Sequence, residues 1–361
     1  MMDNRPLVSV LVPLYNQERY FEQCIHSICT QSYDNIEIII VNDGSTDNSP
    51  KILERWAARD KRIKVVNKSN EGLVKARRDG YRAATGEFIT FVDSDDLLPR
   101  DAIKVLTRHI VDQDVDLVIG SFARKLSVFK WSNTHFKEEF PTGEAVRQPE
   151  LYEKYFINFF GETHFPFSMW GRLFRKSAIN RALQHTELFP DNIRFMGEDL
   201  NFNMRLFPYL KSMYRTSELV YYYRYGGAVD HFNPHYPELL RMTDDRLQLL
   251  DERGYDKGYA TLFGEYVNMF YFRAQQLIYF KQADKDGVMA YFKQELDERK
   301  LTPRLMQYIV ENDLDNHAAV LMLHRDYEGM YEEAQRRVRK LHSTWQCKVK
   351  TVMFNILEHL A

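Results

Sequence analysis

The chain reads as an α/β protein built on a mostly parallel sheet, with a separate helical region after about residue 235. Three observations predict this. Apolar runs suited to strands alternate with segments of helical periodicity over the first hundred residues. The strand runs are continuously apolar instead of alternating, as expected of a sheet covered on both faces. From about Pro237 onward glycines are few, charges are frequent and the periodicity is purely helical.

The elements follow in order. Leu7 to Val12 is the first strand, and Glu18 to Gln31 a helix with Phe21, Ile25 and Ile28 on one stripe. Glu37 to Val41 is the second strand, after which Asp43-Gly44-Ser45-Thr46-Asp47 turns into a helix from Ser49 to Arg59. Ile63 to Val66 is a short third strand and Leu73 to Ala84 a helix. The next strand, Phe88 to Val92, ends directly in Asp93-Ser94-Asp95-Asp96. Ile103, Leu106 and Ile110 then fall at helical spacing, with Pro99 near the start. Asp116 to Gly120 reads as another central strand. Regularity drops until Trp170-Gly171-Arg172-Leu173-Phe174. Met196-Gly197-Glu198-Asp199 opens a helix carrying Leu200, Met204 and Phe207, and Leu219 to Tyr225 is a strand before a glycine turn. No internal repeat is evident. The expected division is a domain over 1–235 and a helical region over 236–361.

Composition narrows the class. A chain of 361 residues, 44% hydrophobic, is long enough for two structural units. A net charge of −2 argues against a general nucleic-acid binder, which would be clearly basic. Three cysteines cannot close a set of disulfides, and Cys24 and Cys29 share neither a helical face nor a metal-ligand spacing, so a reduced, cytoplasmic protein is expected. The first residues lack a signal-peptide pattern, and no apolar stretch approaches the roughly 18 residues of a membrane span. The expectation is a soluble chain, or one peripheral on the inner face of the membrane. Aromatic residues reach 14%, many of them between Phe156 and Phe232. They suit stacking platforms for a sugar or nucleoside, but an aromatic-rich core is expected to account for most of them.

Ligands of such sheets sit outside the carboxyl ends of the strands, and three ends here carry chemistry: Pro13-Leu14-Tyr15-Asn16, Asn42-Asp43-Gly44-Ser45 and Asp93-Ser94-Asp95. Three carboxylates within four residues repel and raise one another's pKa, a conflict that a divalent cation with hard oxygen ligands resolves. Asp93 and Asp95 alternate, so in extended backbone they share one side and could address one Mg²⁺ or Mn²⁺. Asp96 reads instead as the N-cap of the helix that follows.

Residues 7 to about 230 resemble family 2 glycosyltransferases of the GT-A fold. The segments that carry the resemblance run from Val8 to Asn16, from Val41 to Asp47, from Asn70 to Arg77, from Phe91 to Asp96, and through Gly197-Glu198-Asp199. The resemblance implies inverting transfer of a sugar from a nucleotide-sugar donor to an acceptor hydroxyl. Residues 1–120 would bind the donor and 121–235 the acceptor. Asp95 would hold the metal directly, Asp93 would reach the ion or the ribose, and Ser94 between them would belong to the same donor site. Pro13 and Tyr15 would line the base pocket with Tyr15 stacking. Asp43 would accept from the N3–H of uracil, which implies a UDP-sugar; a simple turn and helix cap is the alternative. Arg77 would stand near the base or the diphosphate, or else be a solvated helix-face cation, and the family's usual Ala-Arg-Asn reads Ala76-Arg77-Arg78 here.

Asp199 would be the general base, with Glu198 beside it. The helix macrodipole at that first turn is expected to favour the ionised carboxylate. Trp170 and Arg172 would lie near the acceptor, Arg172 standing where the family often has Lys. His231 is a further metal or phosphate candidate, against a purely structural role. The implied acceptor is a saccharide or lipid-linked saccharide, in surface polysaccharide or glycolipid assembly. Arg336-Arg337-Val338-Arg339-Lys340, followed by Trp345, Val349, Val352, Met353, Ile356 and Leu360, suits an anionic membrane surface. The favoured alternative is a helix packed on the catalytic domain or on a second subunit of a homodimer, with a solvated basic face.

Two other readings compete. A nucleotidyltransferase would need a glycine-rich phosphate loop after the first strand, and that segment holds no glycine. A non-catalytic sugar-nucleotide-binding or scaffold protein would have no need to keep Asp93, Asp95 and Asp199 together.

Overall fold

The computed structural model describes residues 5–125, 130–133, 141–160, 168–191, 193, 197–224, 236–255, 258–312 and 316–343. The chain divides into two compact units, one formed by 1–159 with 163–230 and the other by 160–162 with 231–361.

The first unit begins with strand β1 (Val8–Leu14), helix α1 (Phe21–Cys29), β2 (Ile36–Asp43), α2 (Ser49–Ala57), β3 (Ile63–Lys68), α3 (Leu73–Ala83), β4 (Phe88–Phe91) and α4 (Ala102–Asp112). Every residue of β1, β2 and β4 is buried, which is why their sequences run apolar without alternation. α1 starts at Phe21, not at Glu18. The Gln17 and Glu18 amides donate to Ser49 Oγ and Asp47 Oδ2, each at 2.9 Å, and Asn16 holds a positive φ of 50°, so the backbone is committed to the neighbouring loop.

The second half of this unit is less regular. It holds β5 (Leu117–Lys125), β6 (Lys130–Asn133), β7 (Ala145–Arg147), α5 (Glu150–Tyr155), β8 (Arg172–Arg175), α6 (Lys176–Leu183), α7 (Glu198–Leu206) and β9 (Ser212–Arg224). The sheet order is β3-β2-β1-β4-β8-β5-β9-β7, with β6 paired to β5. β3 to β4 are parallel, but β8 runs antiparallel to both β4 and β5, so the sheet is parallel on one side and mixed on the other. β9 begins seven residues before the expected Leu219, because its first half pairs with β5 on one edge and β7 on the other. A local pattern does not reveal such pairing. β6, β7 and α5 were not foreseen, since they are short and lack periodicity.

The second unit is helical: α8 (Tyr236–Arg253), α9 (Gly258–Tyr279), α10 (Lys285–Glu298), α11 (Leu301–Glu311), α12 (His317–Leu323) and α13 (Tyr327–Ser343). Its core gathers on α9, where Phe270 stacks on Phe292 of α10 at 5.3 Å. Asp284 and Asn316 cap α10 and α12 by accepting from Gly287 N and Ala319 N. The buried Arg246 is paired with Glu265, which removes the cost of an isolated interior charge.

Candidate active site

The carboxyl ends of β1 and β2 lie level, and β4, parallel to them, ends three residues earlier along β1. Leu14 pairs with Asn42 and Leu11 with Phe91 in the ladder, so the three loaded loops leave one edge of the sheet together. Beyond β4 the chain does not continue extended. Asp96 N donates to Asp93 O at 3.0 Å, closing a turn over Asp93-Ser94-Asp95-Asp96. Proximity of Asp93 and Asp95 therefore comes from a turn, which corrects the expectation of alternation along a strand. Nor does Asp96 cap α4, whose first residue is Ala102. Asp96 is 1% exposed and accepts from Tyr221 Oη at 2.8 Å and Arg224 N at 2.7 Å. Tyr221 Oη also accepts from Asp93 N at 3.2 Å, and Arg224 Nε donates to Asp95 O at 2.6 Å. The end of β9 thus braces the whole turn, a function that the strand pattern of Tyr221 to Arg224 did not disclose.

Asp95 carries a carboxylate that Arg224 draws down only in part. Burial, then the neighbouring Asp93, pushes its carboxyl up to about 6. Burial, then the two other aspartates, holds Asp96 well above the usual carboxylate range. Among the described residues, no group of three or more His, Cys, Asp and Glu side chains is arranged to hold a metal ion. The turn nevertheless fits one: a carboxyl raised by burial and like charge, with no described cationic side chain bonded to it, is relieved by a divalent cation. Two carboxylates suffice for an ion that takes its other ligands from phosphate oxygens and water.

Arg77, on α3, joins this turn to the start of α7. It is 2% exposed. Its Nη2 donates to Asp93 Oδ1 at 2.9 Å, and its Nη1 to Asp199 Oδ1 at 2.7 Å and Glu198 Oε1 at 3.2 Å. It is thus neither a solvated cation nor aimed only at a ligand; it is the buried hub of three carboxylates. Burial pushes Glu198 up to about 8, with Asp199 adding to the rise and Arg77 opposing it. Burial likewise raises Asp199, against the pull of Arg77. The expected depression of Asp199 by the macrodipole is overturned, because desolvation outweighs a helix end that contributes only about 0.3–1 kcal/mol. Within the pair, Glu198 keeps a proton near neutrality, and the closer guanidinium contact keeps Asp199 the readier to ionise.

The other expected residues fall around this centre. Pro13 is buried in β1, while Tyr15 just beyond it is 43% exposed. Ser94 is 6% exposed within the turn. Asp43 is 2% exposed, and its two oxygens accept from Glu71 N at 2.9 Å and Gly72 N at 2.8 Å, fixing the loop that starts α3. Asp47, not Asp43, bonds the first amide of α2. Trp170 is half-buried, stacked on Tyr221 at 4.6 Å and on Tyr223 at 5.4 Å. Arg172 is 1% exposed and donates to Asn203 Oδ1 at 2.8 Å, while Asn203 Nδ2 donates to Asp199 O at 2.7 Å. Arg172 therefore stands behind the base candidate and not on an open acceptor surface, because β8 is an interior strand whose arginine faces inward. Met169, whose Sδ lies 3.5 Å from Arg77 Nη1, and Asn203 complete the shell; neither carries a motif that would have marked it. His231 and the segment from Trp345 to Leu360 lie outside the described residues.

Fold and site together define an α/β protein of the GT-A type, with a carboxylate turn at the end of a central strand and an acidic pair at a helix start. The Glycosyl transferase family 2 model matches residues 9–183. Among proteins of known sequence, the chain is 36% identical over 219 residues to EpsJ of Bacillus subtilis (strain 168), an uncharacterized glycosyltransferase. It is 37% identical over 221 residues to the putative glycosyltransferase EpsH of the same organism. Each match covers 61% of this chain and 61% of the relative, so the chain spans less than two thirds of either relative's length. Among solved structures, residues 1–349 of S. aureus TarS in complex with UDP superpose with a TM-score of 0.64 at 20% identity, covering 91% of each chain. The same protein with UDP-GlcNAc gives 0.62.

Proposed function

We propose that this chain transfers a sugar from a UDP-sugar to an acceptor hydroxyl with inversion at the anomeric carbon. The observation that carries the reading is Arg77, which brings Asp93 of the donor-side turn and Asp199 of the acceptor side onto one guanidinium. Tyr15, exposed where β1 ends, offers a ring face to the base. Asp43 would meet the uracil N3–H with the lone pairs left by its two backbone bonds. The binding of UDP and UDP-GlcNAc by the similarly folded TarS supports the uridine assignment.

Asp95 and Asp93 would hold Mn²⁺ or Mg²⁺, which as a Lewis acid neutralises the charge growing on the leaving diphosphate. Asp199 takes the proton of the acceptor hydroxyl as the new C–O bond forms and the bond to the diphosphate breaks, so UDP departs and the base ends protonated. A carboxylate raised by burial is a stronger base than a solvated one, which favours this role. Glu198, protonated near neutrality, donates or accepts beside it without competing for the same proton. A single in-line displacement inverts configuration.

The acceptor fits a saccharide or lipid-linked saccharide of surface polysaccharide or glycolipid assembly. For membrane contact, the support lies in the basic stretch of α13. Arg336 and Arg337 both pair with Glu333, which reduces the charge they present. No helix among the described residues is long and apolar enough to cross a membrane.

The test is calorimetric titration of UDP and GDP, with and without Mn²⁺, on the wild type, Asp95→Ala and Asp199→Asn. UDP binding that needs the metal and is lost in Asp95→Ala is expected. Asp199→Asn should keep that binding and lose about 10²–10⁴-fold in turnover. Preference for GDP would overturn the uridine assignment. UDP binding by a wild type that turns over no UDP-sugar would identify a binding or scaffold protein instead.

A further inference from the structure

Helix α3 grips the segment between α6 and α7 at two places. Arg77 holds its exit, through Glu198 and Asp199. The next residue, Arg78, points to a different part of the same segment: its Nη1 donates to Asp191 Oδ1 at 3.0 Å, and Lys75 Nζ lies 3.6 Å from that oxygen. Asp191 is eight residues before Asp199 in the chain. Just before it, Leu188 and Phe189 are 1% and 4% exposed. The Phe189 ring packs on Tyr81 of α3 at 6.0 Å and on Phe202 of α7 at 5.3 Å.

We infer that Arg78, assisted by Lys75, is a positioning residue that clasps Asp191 and so sets where α7 begins and where Asp199 stands. Asp191 itself is well exposed, so no core packing fixes its side chain; the ion pair does. Arg78 is mostly buried and its Nε makes no hydrogen bond, lying 3.9 Å from Asp79 Oδ1, so the shorter contact with Asp191 is the main compensation for holding this guanidinium out of water. This inference rests on Asp199 being the base, and it concerns placement, not proton transfer.

The experiment compares wild type, Asp191→Asn, Arg78→Asp, Asp191→Arg and the reversed pair Arg78→Asp/Asp191→Arg. The first reading is hydrogen exchange at the Asn201 amide, which donates to Gly197 O at 2.9 Å in the first turn of α7. The second is turnover, with Kd for UDP measured alongside. Each single variant should quicken that exchange and lower kcat about two- to five-fold, the scale of a partly exposed ion pair, with UDP affinity unchanged. The reversed pair should restore both. Unchanged exchange in the single variants would overturn the clasp. Quickened exchange with kcat unchanged would reduce it to a structural contact and overturn the positioning role. Should the wild type lack turnover, the function proposed above fails, and exchange with its restoration in the reversed pair still decides whether Asp191 is clasped.

Discussion

Arg77 balances the charge of the site, and its removal shows what that balance is worth. Arg77→Met leaves Asp93, Glu198 and Asp199 without their shared cation. Loss of one partner from a buried ion pair costs about 3–5 kcal/mol, so urea unfolding should show a drop of that order. Arg77→Lys should recover only part of it, because one ammonium cannot span three carboxylates as a planar fork does. Glu198 carries a pH dependence of definite sign. An ordinary glutamate releases its proton near 4.5, whereas burial keeps Glu198 protonated up to about 8. Between those values the folded state binds more protons than the unfolded one, so stability falls as pH rises through the window. Glu198→Gln should flatten that fall; an unchanged profile in melts from pH 5 to 8 would show that Glu198 is ionised like a solvated carboxyl.

At the scale of elements, two features hold the parallel half of the sheet in place. Glu37, at the start of β2, is 4% exposed and accepts from Lys64 Nζ at 2.6 Å, Ser9 Oγ at 2.5 Å and Thr85 N at 2.6 Å. Against burial, which would raise it, these bonds bring its carboxyl down to about 2. Its contribution is therefore present above about pH 4.5 and disappears as pH falls toward 2. Glu37→Gln should cost about 1–3 kcal/mol at pH 7 in denaturant melts, with the difference vanishing in acid. Gly44 turns the chain after β2 with φ of +72°, and a Cβ there would come within 2.7 Å of Asn70 N. Gly44→Ala should cost about 1–3 kcal/mol through left-handed strain, and more where the backbone of Asn70 cannot retreat.

At the scale of the whole molecule, every candidate residue from Pro13 to Asp199 belongs to the first unit, which has its own buried core. A chain ending at residue 235 should therefore fold cooperatively and retain metal-dependent UDP binding, as read by circular dichroism and calorimetry. Aggregation of that fragment, or loss of its nucleotide binding, would assign the helical unit a part in the site.

Local chemistry was legible in the sequence. Unbroken apolar runs announced β1, β2 and β4 because strands buried on both faces have no polar side to show. The loops that follow them declared themselves through turn-forming and acidic residues, and Asp93, Asp95, Asp43 and Asp199 stand where that reading put them, at strand ends and a helix start. What the sequence could not show is everything that depends on distance along the chain. Arg77 meets Asp199 across 122 positions and Tyr221 reaches Asp96 across 125, separations that no window of periodicity spans. The antiparallel β8 and the early start of β9 likewise depend on which strand lies alongside. The protonation of the site was decided the same way. A helix macrodipole can be read from sequence, but burial cannot, and at Glu198 and Asp199 burial is the larger force.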